Sequence, residues 1–224
     1  MNNALSYDDV LLVPAYSDIK SRTEVSIGAD LGNGLVLSLP ILASPMDTIS
    51  ESAMAVEIGR LGGAAVIHRY NTIEMQSRQI EISRVVAESN YKTNIQVGAA
   101  VGISGDYLDR SKACISAGAS FLCVDVAHGH HIMMKDALAT LRRTFGSDLH
   151  IMAGNVATLE GINDLADWGA DSVRCNIGGG SICSTRIQTG HGVPTLQAIM
   201  DCYQVKKEEE SKGNKMASIV ADGG

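Results

Sequence analysis

The amino-acid sequence predicts an α/β protein with the architecture of a (β/α)8 TIM barrel from which one strand is missing. From Leu35 onward, short apolar runs alternate with longer amphipathic segments. The apolar runs are continuous, as expected of parallel strands that are buried on both faces. Polar residues with functional potential follow one strand after another, which is the arrangement at the C-terminal face of a barrel.

The spacing of these segments is typical of repeated strand–helix units. Strands are predicted at residues 41–45, 64–68, 95–101, 121–126, 150–153, 172–177 and 218–221. Helices are predicted at residues 51–61, 73–89, 107–117, 133–144, 159–168 and 195–207. The charged residues at 206–213 indicate a solvated loop or helix end.

A doubly wound open sheet is the alternative architecture. It would gather the functional residues at one point where the strand order reverses, and here they follow many strands. The count of strands is seven, and a barrel without its eighth strand leaves two unpaired edges. We therefore predict a single catalytic domain over residues 1–224 that is truncated after its seventh strand. A second chain that supplies the remainder is the alternative explanation.

Composition excludes several classes of function. The chain has 224 residues, 45% of them hydrophobic, and a net charge of −7, which argues against a nucleic-acid or anionic membrane surface. The N-terminus has no signal-peptide pattern, and no apolar run approaches the roughly 20 residues of a membrane helix. The five cysteines show neither a CxxC pair nor zinc-ligand spacing. These features predict a cytoplasmic protein with free thiols.

The central candidate for function is the loop after the sixth predicted strand. Residues 178–180 are three consecutive glycines, and Cys183 follows them. Glycines let the backbone approach a ligand closely, and amides in such a turn suit a phosphate. A cysteine there can be a nucleophile when nearby amides or cations lower its pKa. The alternative is a flexible turn with an inert cysteine, because glycine clusters commonly mark turns.

The sequence GGGSICSTR at residues 178–186 resembles the catalytic loop of the IMP dehydrogenase / GMP reductase family. Further segments resemble the family in the same order, at residues 5–14, 43–48, 94–102, 123–130, 152–158 and 222–224. Together they span nearly the whole chain. Taken by themselves, residues 5–14 predict an N-terminal strand or hairpin across the bottom of the barrel, and we assign them a structural role.

The resemblance implies roles for the matching residues. Cys183 would attack C2 of a purine nucleotide, and Thr185 would help to activate water or ammonia. The substrate contacts would be Ser44, Met46, Asn155, Gly180, Ser181, Ile182, Asp222 and Gly224, with Asp222 on the ribose hydroxyls. The contacts of the dinucleotide cofactor would be Asp125, Asn176 and Gly178. The backbone carbonyls of Gly178, Gly180 and Cys183 would hold a monovalent cation, K⁺.

Two positions in the loop depart from the family pattern. Asn176 stands where glycine is usual, and Gly179 stands where proline or serine is usual. By the resemblance, the dinucleotide passes Asn176. An asparagine in place of the usual glycine therefore changes the contact that this position can make with the cofactor. Elsewhere, Asp47 is either a helix cap or a carboxylate that supports the site. His68 and Arg69 either form a structural hydrogen-bonded pair or bind phosphate.

The resemblance implies an IMP dehydrogenase-like oxidation of IMP to XMP with NAD. The forms of residues 94–102 and of His128-Gly-His130 favour the dehydrogenase side. The alternative is a GMP reductase that uses NADPH, since no regulatory insert follows Arg69-Tyr70 and the segments that separate the two reactions are not in the chain. A third hypothesis is a nucleotide-binding fragment without catalysis. Family members are usually tetramers, so a homotetramer is expected.

Overall fold

A computed structural model describes residues 4–213 and 216–224 of the chain. An antiparallel hairpin, β1 (Ala29–Asp30) and β2 (Val36–Leu37), precedes a parallel sheet. Over the residues described, this sheet has seven strands: β3 (Leu42–Ala43), β4 (Ala64–Ile67), β5 (Gln96–Val101), β6 (Phe121–Asp125), β7 (His150–Val156), β8 (Ser172–Cys175) and β9 (Ser218–Ala221). Neighbours in sequence are neighbours in the sheet, so the predicted incomplete barrel is confirmed.

Helices connect the strands and cover the outside of the sheet. They are α1 (Ser52–Arg60), α2 (Ile73–Tyr91), α3 (Tyr107–Ser116), α4 (Ile132–Phe145), α5 (Leu159–Asp167), α6 (Thr185–Thr189) and α7 (Thr195–Ser211). The six predicted helices are confirmed, and the short helix α6 was not predicted. Within residues 4–213 and 216–224, none of the helices is both long enough and apolar enough to cross a bilayer.

The continuous apolar strands result from burial on two sides. In β4, Ala64 and Val66 belong to an inner core that also contains Phe121, whereas Ala65 and Ile67 belong to the outer core beneath the helices. Alternate residues of a strand face opposite sides of the sheet, so both sets must be apolar here.

The bottom of the barrel, at the N-terminal ends of the strands, is closed by the β1–β2 hairpin. Leu31, Leu35 and Leu37 from the hairpin pack into the inner core. The carbonyl of Gly32 accepts a hydrogen bond of 2.8 Å from Nδ1 of His150 at the start of β7. The sequence analysis missed this hairpin because strands of two residues carry no periodic signal.

The predicted strand or hairpin at residues 5–14 is wrong. Residues Tyr7–Asp9 form a 3₁₀ turn, because Asp9 Oδ2 accepts hydrogen bonds from the amide and hydroxyl of Ser6 at 2.7 and 2.8 Å. Such a reciprocal capping arrangement favours a helical turn over a strand. The segment also lies at the other end of the barrel, where the carbonyl of Leu5 accepts from the amide of Gln197 in the first turn of α7.

The outermost strands of the sheet are β3 and β9. A gap between them leads to a cavity of about 210 Å³ lined by both strands and by the hairpin. At the C-terminal ends of the two strands, Ser44 Oγ donates a hydrogen bond of 3.0 Å to Asp222 Oδ1. The edges therefore approach each other closely at one end, although they share no ladder of backbone hydrogen bonds in the described sheet.

Candidate active site

A cavity of about 470 Å³ opens at the C-terminal ends of the strands. Its volume is within the range of roughly 300–1,000 Å³ that is typical of small-molecule sites. It brings together every residue to which the sequence analysis gave a site role: Ser44, Met46, Asp125, Asn155, Asn176, Gly178, Gly180, Ser181, Ile182, Cys183, Thr185, Asp222 and Gly224. What each of them binds stays a prediction.

A buried arginine joins the strand ends around this cavity. Arg174, in β8, is 6% exposed. Its Nη1 donates to Asp125 Oδ1 at 2.5 Å, and its Nη2 donates to Asp222 Oδ2 at 2.9 Å. A buried charge needs such partners, because an unpaired one is costly. The sequence analysis gave Arg174 no role, although a cation within an apolar strand was a signal that carboxylates lie nearby.

Asp222 is the centre of a hydrogen-bond network. Its carboxylate accepts from Ser44 Oγ at 3.0 Å, from Asn155 Nδ2 at 2.6 Å and from Arg174. Burial alone would raise the pKa of Asp222, but the charge of Arg174 and these hydrogen bonds hold the pKa below its usual value. A carboxylate has about four acceptor positions, and three are used within the protein. Because Asp222 lines the cavity and 22% of its side chain is exposed, the carboxylate can still accept a ligand hydroxyl.

Cys183 differs from the other cysteines in exposure. It is partly exposed, whereas Cys114, Cys123, Cys175 and Cys202 are buried. Hydrogen bonds from the side chain and amide of Thr185 lower the pKa of Cys183, and the charge of Arg186 adds to the effect. Burial raises the pKa of Cys123 to about 12. Because a thiolate is the nucleophile, Cys183 is the thiol of this chain best suited to attack a ligand.

The two departures from the family pattern are structurally coupled. The φ angle of Asn176 is +148°, in the region that favours glycine. Its Nδ2 donates to the carbonyl of Asp222 at 2.6 Å, and its Oδ1 accepts from the amide of Gly179 at 3.2 Å. A Cβ atom on Gly179 would lie 2.5 Å from Asn176 Nδ2. The side chain of Asn176 thus fills the space that a larger residue 179 would need.

This arrangement limits what Asn176 offers a cofactor. The residue is 3% exposed, and both polar groups of its side chain have protein partners. Asn176 therefore contributes mainly backbone atoms to the cavity wall. Asp125 keeps a partly exposed carboxylate at the cavity while one of its oxygens pairs with Arg174. Of the predicted cofactor contacts, Asp125 is thus the one that presents a partly exposed side chain to the cavity.

The carbonyls predicted to hold K⁺ already have a cationic partner. Arg186 Nη1 donates to the carbonyls of Gly178 at 2.5 Å and Gly180 at 2.7 Å, and it lies 3.5 Å from the carbonyl of Cys183. The residues present therefore do not fit an additional monovalent cation at this position. In the described part of the chain, no cluster of three or more His, Cys, Asp or Glu side chains could hold a metal ion.

The neighbouring His68 has structural contacts. It is 2% exposed, and its Nδ1 accepts a hydrogen bond of 3.2 Å from the amide of Tyr70. Its Nε2 lies 3.4 Å from Glu51 Oε1 and 3.8 Å from Asp47 Oδ1. The structural interpretation of His68 is thus the better one. The N-cap of α1 is Glu51, so Asp47 does not cap that helix.

The parallel half-barrel and the cavity at its C-terminal ends define a protein of the β/α-barrel enzyme class. Comparison of the sequence with known families then identifies the particular branch. The profile of the IMP dehydrogenase / GMP reductase domain matches residues 4–224. The chain belongs to this family.

Individual relatives agree with this assignment. The chain is similar to inosine-5'-monophosphate dehydrogenases of Borreliella burgdorferi (33% identity; 99% of this chain, 63% of the relative) and Cryptosporidium parvum (32% identity; 100% and 62%). It is also similar to a GMP reductase of Leishmania major, at 26% identity over 98% of this chain and 69% of the relative. The chain thus spans about two thirds of the length of these relatives.

Proposed function

We propose that the protein is a purine nucleotide oxidoreductase that oxidises IMP to XMP with NAD. The observation that carries the proposal is the position of Cys183. A partly exposed thiol of lowered pKa lies on the wall of the cavity of about 470 Å³ at the C-terminal ends of the strands, and the other cysteines are buried. The dehydrogenases from Borreliella and Cryptosporidium support this choice of reaction.

Asp222 would bind the ribose of the nucleotide. Three of its acceptor positions are taken by Ser44, Asn155 and Arg174, so one ribose hydroxyl can bind the free position directly. A second hydroxyl would replace Ser44, which can rotate about its side-chain bond. Arg174 would keep the carboxylate ionised and oriented throughout. The amides and hydroxyl of residues 180–182 would face the phosphate.

Covalent catalysis would start at Cys183. Its thiolate would form a bond to C2 of IMP, and the hydrogen at C2 would leave as a hydride. A nicotinamide cofactor, when bound beside Asp125, would supply the hydride acceptor. Water would then add to C2 with loss of a proton, and cleavage of the carbon–sulfur bond would release XMP and the thiolate. Thr185, which already contacts the thiol, would orient that water.

A paired absorbance assay on the purified chain tests the reaction. One reaction contains IMP and NAD, and the other contains GMP and NADPH. We expect nicotinamide absorbance to rise in the first reaction and to remain constant in the second. Ser184→Ala is the matched control, because this exposed neighbour does not line the cavity. A rise that persists in Cys183→Ala would contradict the role of the thiol.

GMP reduction is the second candidate, and the similarity to the Leishmania enzyme favours it. The same thiolate would add to C2 of GMP, and the protonated amino group would leave as ammonia. A hydride from NADPH would then add to C2, and cleavage of the carbon–sulfur bond would release IMP and the thiolate. Falling absorbance in the second reaction would select this candidate. A protein that binds either nucleotide without turnover would show only an upward shift of the melting temperature, because a ligand of the native state stabilises that state. The homotetramer also remains a proposal, which light scattering tests.

A further inference from the structure

The side chain of Arg186 makes an uncommon set of contacts for a residue on a short surface helix. One nitrogen, Nη1, has the carbonyl oxygens of Gly178, Gly180 and Cys183 around it at 2.5, 2.7 and 3.5 Å. All three carbonyls come from the loop between β8 and α6. Carbonyl oxygens that converge in this way form the kind of cradle that proteins use for monovalent cations.

The loop is shaped to admit this side chain. The stem of Arg186 lies between two glycines, because a Cβ atom on Gly178 would be 3.1 Å from Arg186 Cβ and one on Gly192 would be 3.5 Å from it. Gly178 also has a φ of +78°, a conformation that favours glycine, and its carbonyl accepts a hydrogen bond from the guanidinium. An added Cβ would therefore be tight against the stem at Gly178, whereas at Gly192 it would make an ordinary van der Waals contact with the stem.

We propose that Arg186 is the resident cation of the Cys183 loop, and that the loop keeps its shape without a monovalent cation from solution. A guanidinium is always charged in proteins, and its planar set of donors has a fixed geometry. Hydrogen bonds from a charged donor are also stronger than neutral ones. Arg186 acts through the loop and is a positioning residue. The proposal deepens the proposed function, but its test does not require turnover.

The test compares Arg186→Ala, Arg186→Lys and the unsubstituted protein in two salts of equal concentration, potassium chloride and tetramethylammonium chloride. Tetramethylammonium has no donors and is too large for the cradle. We expect the unsubstituted protein to melt at the same temperature in both salts. Arg186→Ala should melt about 2–6 °C lower in tetramethylammonium, since it loses charged hydrogen bonds. Potassium should restore at least half of that loss by occupying the freed carbonyls.

Two further variants keep the test specific. Arg186→Lys should lose less than the alanine variant and should not respond to potassium, because the ammonium can reach the same carbonyls. Arg143→Ala removes an equally charged, exposed residue of α4 and should behave like the unsubstituted protein in both salts. Amide hydrogen exchange at residues 178–186 reports on the loop directly, and should be faster in Arg186→Ala in tetramethylammonium and slower again in potassium.

Three outcomes would overturn the proposal. The first is stabilisation of the unsubstituted protein by potassium to the same extent as Arg186→Ala. The second is an Arg186→Ala variant whose melting and loop exchange are unchanged. The third is a destabilised variant that potassium does not restore, which would make Arg186 an ordinary hydrogen-bond donor. A failed nicotinamide assay would contradict the proposed reaction only. The melting and hydrogen-exchange results would still test the role of Arg186, because they do not require turnover.

Discussion

The two ends of the barrel are built from the same strands by different physical means. At the bottom, Leu35 and Leu37 of the hairpin share an apolar inner core with Phe121 and Met152, and hydrogen bonds such as that of His150 to Gly32 hold the hairpin in place. At the top, the corresponding space contains Arg174 with its two carboxylates and a cavity that is open to ligands. The comparison teaches that the bottom is specialised for stability and the top for chemistry, as is general for barrel enzymes.

The largest effect is expected at the top, from Cys183→Ala. If the thiol is the nucleophile, its removal should lower turnover by about 10⁴-fold or more. The melting temperature should stay nearly unchanged, because the side chain is partly exposed and makes few apolar contacts. Steady-state kinetics and a thermal melt on one preparation check both parts. A loss of stability similar to that of a core variant would contradict the claim that the top of the barrel serves chemistry and the bottom serves stability.

The largest effect on stability is expected at the bottom, from Phe121→Ala. The ring is fully buried and packs edge-on against His150, with Gly98 leaving room for it. Loss of this side chain should lower the free energy of unfolding by about 3–5 kcal/mol. Urea denaturation measures the change. Phe145→Ala, at the partly buried end of α4, is the matched control and should cost clearly less.

Asp222→Asn should be destabilising in a pH-dependent way. We expect a loss of about 1–3 kcal/mol at neutral pH, because Arg174 loses one of its charged partners. The folded-state pKa of Asp222 is depressed, so its ionisation stabilises the protein above the unfolded pKa of about 3.9. That contribution is lost as the pH falls through the folded pKa. The stability difference between the two proteins should therefore shrink below about pH 4 in urea titrations.

A stability difference that stayed constant down to acidic pH would show that Asp222 is not stabilised by Arg174. Ser44→Ala is a useful companion, since it removes one neutral donor from the same carboxylate and leaves the ion pair intact. Its effect should be smaller, about 0.5–1.5 kcal/mol, and nearly independent of pH at neutral and alkaline values.

The last prediction concerns the coupling energy between residues 176 and 179 of the loop. Gly179→Ser alone should cost about 1–2 kcal/mol, because its Cβ would overlap the side chains of Asn176 and Thr195. In the double variant with Asn176→Gly, the overlap with residue 176 is removed and the positive φ is relieved, while the overlap with Thr195 remains. Urea denaturation of the four proteins should give a favourable coupling energy of about 1 kcal/mol between the two substitutions. Simple additivity would contradict the packing argument.

The sequence was sufficient for the strands and for the residues around the cavity. Continuous apolar runs located β4 to β9, and the order of strands and loops then placed residues such as Ser44 and Asp222 at one end. It was not sufficient for contacts that depend on three-dimensional proximity. The pairing of Arg174 with Asp125 joins residues 49 positions apart, so no local pattern reports it.

Local sequence also misled at the start of the chain. Residues 5–14 suggested a strand or hairpin, but the hydrogen bonds between Ser6 and Asp9 form a turn within that segment. The carbonyls of the glycine loop matched a cation site by resemblance, whereas the side chain that fills it comes from Arg186, in the helix that follows. Side-chain direction of this kind is decided by packing and is not visible in residue spacing.

The most direct test of the central claim is capture of the covalent intermediate. The purified chain is incubated with IMP and NAD, quenched in acid and digested, and the peptides are identified by mass spectrometry. The account predicts a purine nucleotide attached to Cys183, and no attached nucleotide in Cys183→Ala. Formation of NADH without any adduct on Cys183, or with the adduct on another residue, would contradict the assignment of Cys183 as the nucleophile.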